Sequence, residues 1–244
     1  MYVKKRLRRV TPGSFVEIGV GQGVLSRLLL DLGWQGVGWD LNEAALVAAE
    51  RLTQKAIGDG RYRLESGDWL AGNGGRADLV VSSMVLEHLD HEHERTYFER
   101  AEAVLQPGGL AVLLVPGSQR HWGIEDEIAG HHRRYSFDSL RKSAEGSGWR
   151  VAHMVGLTFP LSNMLLRLSN RQVTRWETGQ SELALEARTV QSGNRYVPWK
   201  TTFPRAARLV LNEAVLMPFH LLQQACSRSE RSLVLYCECR PASP

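Results

Sequence analysis

Cysteine is scarce in this chain of 244 residues: there are only Cys226, Cys237 and Cys239. An odd number, with two of them one residue apart, makes a poor disulfide framework, and no Cys-x-x-Cys pair exists to build a zinc ribbon. Reduced thiols and a cytoplasmic protein are the expectation. Long apolar runs are also missing. The longest candidate, Leu209 to Leu222, is broken by Asn212, Glu213 and Pro218, whereas a membrane-spanning helix needs roughly 18–20 apolar residues. The charged N-terminus is not followed by an apolar segment, so no secretory leader is expected. No internal repeat is present.

What is there fits a globular protein: 43% hydrophobic and 23% charged residues. The length suits one α/β domain, with room for an appended lobe. The net charge of +4 is unevenly placed. Lys4, Lys5, Arg6, Arg8 and Arg9 crowd the N-terminus, and residues 150–244 carry 12 basic against 6 acidic side chains. Eleven of those 12 are arginine, the side chain suited to forked contacts with phosphate or carboxylate. An acidic partner is one reading, and simple solubilisation of an apolar segment is the other.

The first two-thirds alternate between short apolar runs and helical patterns. Strands are expected at 14–18, 36–40, 61–65, 78–82, 110–115 and 149–157. Helices are expected at 21–32, from the Asn42 cap to about Gln54, at 92–105, and from the Ser136 cap to about 146–148. Such alternation implies crossover units and a parallel sheet, with ligands at the carboxyl ends of the strands where strand order reverses. The rhythm then breaks. Leu161, Met164, Leu165 and Leu168 have helical spacing, and 205–224 reads as a second helix interrupted at Pro218. Residues 232–239 look like a final strand.

The chemical signal is Glu17-Ile18-Gly19-Val20-Gly21-Gln22-Gly23, at the junction of the first strand and first helix. Glycines there allow a sharp turn and let a ligand approach helix N-terminal amides. Asp40 ends the second strand, where a carboxylate can accept both hydroxyls of a ribose. Dinucleotide folds favour Gly-x-Gly-x-x-Gly; here the third glycine comes one residue early. Glu17 would repel a pyrophosphate but could hold an ammonium group, directly or through water. The balance favours S-adenosylmethionine over a nicotinamide dinucleotide.

With these residues the chain resembles the class I S-adenosylmethionine-dependent methyltransferases. Gly67-Asp68-Trp69-Leu70, Ala77 to Ser83 followed by Leu86-Glu87-His88-Leu89, and Leu105 to Leu110 are similar to the later motifs of that family, in order across roughly residues 13–157. The resemblance implies a Rossmann-like, doubly wound α/β sheet of seven strands with an antiparallel last strand. It implies one domain over 1–244, with 158–230 a helical insertion capping the acceptor site. It also implies that Glu17, Gly19, Gly21, Gly23, Asp40, Leu41, Asp68, Trp69, Ser83 and His88 line the donor site, Asp68 lying near the adenine amine. S-adenosyl-L-homocysteine would be the product.

The segment from Arg120 to Tyr135 lies where the acceptor must approach. Its Gly-His-x-Arg-Arg-Tyr stretch is similar to bacterial small-molecule methyltransferases of glycan and natural-product pathways. His131 and His132 are the candidate proton acceptors, since imidazole titrates near neutral pH; His132 is favoured, leaving Arg133 and Tyr135 to anchor the loop. No metal is expected. Adjacent histidines splay apart in an extended loop, and His88, His91 and His93 read as a solvated helix entrance. The expected function is methyl transfer, most simply to oxygen, on a small-molecule acceptor that is acidic or linked to lipid or glycan. A non-catalytic protein at the membrane surface and an NAD-type oxidoreductase are the alternatives. A nucleic-acid acceptor is disfavoured, because no Asn-Pro-Pro-aromatic or Asp-Pro-Pro-aromatic segment follows the fourth strand.

Overall fold

The computed structural model describes residues 1–72, 75–164 and 212–242. Seven strands form one sheet in the order β3-β2-β1-β4-β5-β7-β6. They are β1 (Ser14–Ile18), β2 (Gln35–Asp40), β3 (Tyr62–Ser66), β4 (Ala77–Ser83), β5 (Leu105–Pro116), β6 (Trp149–Leu157) and β7 (Val234–Pro241). The first five pair in parallel, whereas β7 pairs antiparallel with both β5 and β6. Strand order reverses between β1 and β4, the point where a doubly wound sheet opens a crevice for ligands.

Side-chain alternation along the strands divides the core between two faces. Val16, Val80, Ala111 and Leu113 join one cluster with Tyr97, Phe98, Leu140 and Trp149. Phe15, Leu79, Val81 and Val112 join the other with Leu7, Leu29 and Trp34. The described α-helices are α1 (Tyr2–Leu7), α2 (Val24–Asp31), α3 (Glu43–Gly58), α4 (His91–Val104), α5 (Ile124–Ala129), α6 (Phe137–Gly146) and α7 (Glu213–Ala225), and α1, α2, α3, α4 and α6 supply residues to the two clusters. The caps at Asn42 and Ser136 are made as expected: Asn42 accepts from Ala44 and Ala45, and Ser136 from Ser139.

Several boundaries differ from the sequence reading. Helix α2 begins only at Val24, because Gly19, Gly21 and Gly23 all have positive φ. Strand β5 starts at Leu105 rather than Leu110: Ala77 pairs with Leu105 and Leu79 with Leu110, so Pro107-Gly108-Gly109 is absorbed as an irregularity within the strand. Pro218 does not end α7, which runs through it. The basic N-terminus forms α1, and Arg6 is committed to the sheet. Its guanidinium donates to both oxygens of Glu238 on β7 at 2.7 and 2.6 Å. Residues 165–168 and 205–211 of the two helices expected in the insertion lie outside the described residues, as does most of 158–230. Within the described part, residues 161–164 are helical. A cleft of about 360 Å³ runs between the start of α1, the end of β6 and α7. No described helix is long and apolar enough to cross a membrane.

Phe98 sits at the centre of the first cluster, wholly buried against Tyr97 and Trp149. Phe98→Ala is expected to lower the unfolding free energy by about 3–5 kcal/mol. Urea titration checks this, and a loss under about 1 kcal/mol would contradict the packing.

Candidate active site

The glycine loop joins β1 to α2 at the switch point. Two of its glycines do different work. Gly23 has φ +78°, and a Cβ there would lie 2.9 Å from the Ala49 Cα, so this position lets α2 and α3 approach closely. Gly21 has φ +53°, and a Cβ there would meet nothing within 4 Å, so its backbone borders open space. Asp40 holds the loop in place. Its Oδ2 accepts from the Gly21 amide at 2.7 Å and its Oδ1 from the Asn42 amide at 2.8 Å. Each carboxylate oxygen keeps a further lone pair, so Asp40 can still accept ribose hydroxyls.

Glu17 is held by a hydrogen bond within the fold. It is buried under the loop, where Ser26 Oγ donates to its Oε2 at 2.5 Å and Tyr62 donates to Ser26 at 2.9 Å. Burial pushes its pKa up to about 8 against the pull of the Ser26 hydroxyl, with the Asp40 charge adding to the rise. Trp69 is likewise a core residue. It lies beside Tyr97 at 5.7 Å and under the Arg100 guanidinium at 5.0 Å. Asp68 is exposed and accepts from the Leu70 amide. Leu41, at the end of β2, is 52% exposed. Two further apolar side chains that the sequence reading passed over are also exposed at this edge: Val24 at the start of α2, and Met84 after β4. Met84 has φ +58° without being glycine, a strain that clusters at functional sites.

Ser83 ends β4 half-buried, and His88 follows in a short 3-10 turn, Leu86–His88. His88 does not belong to a solvated trio. His91 and His93 are exposed, whereas the His88 ring packs edge-on against His131 with centroids 4.7 Å apart. Burial and the neighbouring His131 lower the His88 pKa to about 3.

The segment 117–135 folds back onto that turn. Arg133 donates to Glu94 at 2.8 Å and to the Leu89 carbonyl at 2.8 Å, and Tyr135 donates to Glu94 at 2.7 Å. Arg133 and Tyr135 therefore do anchor the loop, but the histidine facing inward is His131. Its Nδ1 bonds Asp126 Oδ1 at 2.8 Å, which fixes the ring and turns Nε2 towards Glu87. The favoured His132 is exposed; its contribution here is a backbone amide donated to the Glu87 carbonyl at 2.7 Å. Adjacent residues do point apart, as extended backbone requires, and the anchors decide which one turns in. Asp126 and Glu94, both buried, are the positioning residues that sequence reasoning missed.

The sheet order, the switch-point loop and its acid are those of a known family. The family described as "Methyltransferase domain" matches residues 3–154, more than half of the chain. The chain belongs to this family. Among solved structures, the glycopeptide N-methyltransferase MtfA superimposes with a TM-score of 0.54 at 16% identity, over 98% of this chain and 89% of that one. The mitomycin 7-O-methyltransferase MmcR gives 0.51 at 17% identity, over 62% of this chain and 48% of that one. Both identities speak for the fold. A ribosomal RNA small subunit methyltransferase C from Alcanivorax borkumensis is 31% identical over 109 residues, which is 42% of this chain and 32% of that protein. The chain thus spans about a third of that curated relative.

A pH signature follows for this methyltransferase. A carboxyl whose folded pKa exceeds its unfolded value keeps its proton in the native state, so its contribution is full at low pH and is lost as pH rises towards 8. His88, held neutral, works in the opposite sense below about pH 6.5, where its unfolded form takes up a proton. The clean window is pH 6.5–8. There the wild type is expected to lose up to about 2 kcal/mol more unfolding free energy than Glu17→Gln. Urea unfolding at the two pH values tests it; equal losses would mean that Glu17 is ionised in the fold.

Proposed function

We propose that this chain transfers a methyl group from S-adenosylmethionine to an oxygen of a small-molecule acceptor. The observation that carries the donor half is the switch-point loop. Three left-handed glycines present open backbone at Gly21, and Asp40 is tied to that same amide. The relative MtfA has been solved with S-adenosylmethionine bound, which supports the same donor here. When bound, the donor supplies an already activated methyl on a sulfonium. The chain's own residues would then bind and orient: Gly19 to Gly23 against the amino-acid portion, Asp40 on the ribose, Asp68 towards the adenine amine, and Leu41 beside them. In-line displacement asks the protein mainly to position two reactants and exclude water.

The acceptor half rests on the 117–135 loop. An amine nucleophile needs no strong promotion of proton loss, but a hydroxyl does, and His131 is the loop side chain oriented for that by Asp126. Exposed Arg120 and Arg231 act on His121 beside the loop, which supports an acidic acceptor. The apolar side chains exposed on α7, Phe219, Leu221 and Leu222 among them, suit a lipid-linked one. Residues 158–230 are proposed as the acceptor's cover. Asn163 supports this by donating to the Arg231 carbonyl at 2.9 Å and lying 3.4 Å from His121 Nε2.

Two measurements test the halves separately. Calorimetric titration with S-adenosylhomocysteine is expected to show Asp40→Ala losing about 1.5–3 kcal/mol, the scale of a hydrogen bond to a charged group. Unchanged affinity would overturn the ribose assignment, and tight NADH binding by the wild type would overturn the donor. His131→Ala is expected to lower turnover by about 100-fold or more with donor affinity nearly unchanged, while His132→Ala stays near wild type. The reverse ranking would return the role to His132.

A further inference from the structure

Glu87 is wholly buried in the turn after β4, and neither of its carboxylate oxygens has a hydrogen-bond partner. Leaving a buried polar atom unpaired costs about 1–3 kcal/mol, and more if it is charged. Two such atoms on one side chain imply an occupant that satisfies them. Two imidazole rings, His88 and His131, are gathered beside them. His131 Nε2 lies 3.9 Å from Glu87 Oε1. One ligating atom from each of Glu87, His88 and His131 falls within 4.8 Å of the other two.

Both imidazoles are held by hydrogen bonds, His131 at the ring nitrogen away from Glu87. Asp126 holds Nδ1 of His131 at 2.8 Å, and the Gly130 backbone hydrogen-bonds His88. A metal-binding histidine is oriented in this way, its far ring nitrogen bonded to a carboxylate or a backbone carbonyl. The nearest guanidinium, Arg134, is paired with the same Asp126 oxygen at 2.8 Å, so its charge is compensated.

We propose that Glu87, His88 and His131 bind one divalent transition-metal ion of the zinc class, with further coordination positions open to water or to an oxygen of the acceptor. The site does not need the methyl-transfer reading, on which only the acceptor oxygen rests; with the ion bound, His131 is a ligand and no longer a proton acceptor, because Asp126 holds its Nδ1 and Nε2 faces the ion. Two imidazoles and one carboxylate suit zinc, or iron(II) in a facial triad, and not magnesium or calcium, which prefer oxygen ligands. Bonds of about 2.0–2.2 Å would set the ligand atoms roughly 3.4 Å apart. The observed spread, up to 4.8 Å, therefore closes by about 1.4 Å at most, which side-chain rotation can supply. His131, with its side chain 14% exposed, is the accessible edge, and Glu87 is sealed. The expectation of no metal took the pair His131 and His132 and the cluster His88, His91 and His93 separately; the fold instead joins one histidine from each and adds Glu87.

The test uses the full chain without an affinity tag, stripped by chelator and dialysed. It is titrated with Zn²⁺ by calorimetry and with Co²⁺ by visible absorption. One Co²⁺ per chain is expected, with the d–d bands of a nitrogen and oxygen site. Affinity is expected to fall at least about 100-fold in Glu87→Gln and in His131→Ala, and about 10–100-fold in Asp126→Asn. It should hold in His132→Ala, whose side chain points outward. Circular dichroism confirms that each variant is folded, and His88→Asn replaces any that is not. No Co²⁺ uptake by the wild type, or uptake unchanged in the ligand variants, would overturn the site. S-adenosylhomocysteine binding is measured on the same samples, so a failed ion site with intact donor binding is distinct from a failed donor assignment.

Discussion

The path of the segment 117–135 depends on one buried carboxylate, Glu94. It lies on α4, 5% exposed, and takes Arg133 on one oxygen and Tyr135 on the other. A buried acid is stable only when its lone pairs are satisfied, and here the partners come from a segment about forty residues away in sequence. Satisfying Glu94 therefore fixes the path of the chain from Gly130 to Tyr135. Because Arg133 also donates to the Leu89 carbonyl and Tyr135 to that of Leu86, the same anchor clamps that segment to the turn after β4. His131 arrives beside Glu87 and His88 as a consequence. Removing either anchor would free the loop without touching the groups that do chemistry.

The donor side is organised by a different constraint, the close approach of α2 and α3 behind the glycine loop. Gly23 permits it sterically. Asp40 then joins the loop to the start of α3 through the amides of Gly21 and Asn42. Below them Glu17, Ser26 and Tyr62 form a buried hydrogen-bonded chain between β1, α2 and β3. The acid of the glycine motif thus acts as internal bracing. The two sides meet at one edge of the sheet, where the parallel strands deliver the ends of β1, β2 and β4 and Gly19 lies close to Val85 of the turn after β4.

The metal-type cluster and the donor loop also differ in electrostatic character. Glu17 and Glu87 are both buried acids with pKa values raised to about 8. Glu17 has a hydroxyl donor to share its lone pairs, whereas Glu87 has only imidazole nitrogens at ion-pair distance. That contrast, between two residues alike in burial and titration, is why one reads as structural and the other as a site.

Sequence by itself determined the fold class, the switch-point loop and Asp40, because these follow from local chemistry. Apolar period, glycine spacing and helix caps act within a few residues of where they are read. It also placed Arg133 and Tyr135 as anchors of the loop. Tertiary structure alone decided which of His131 and His132 faces inward, that Trp69 and Glu17 are interior, and that His88 joins Glu87 rather than His91 and His93. Those outcomes are set by partners outside the motifs, most of them far along the chain: Glu94 for the loop, with Asp126 five residues before His131, Tyr97 and Arg100 for Trp69, and Tyr62 through Ser26 for Glu17. Motif spacing carries no information about such contacts, because a side chain's direction in a loop is fixed by the distant group that satisfies it.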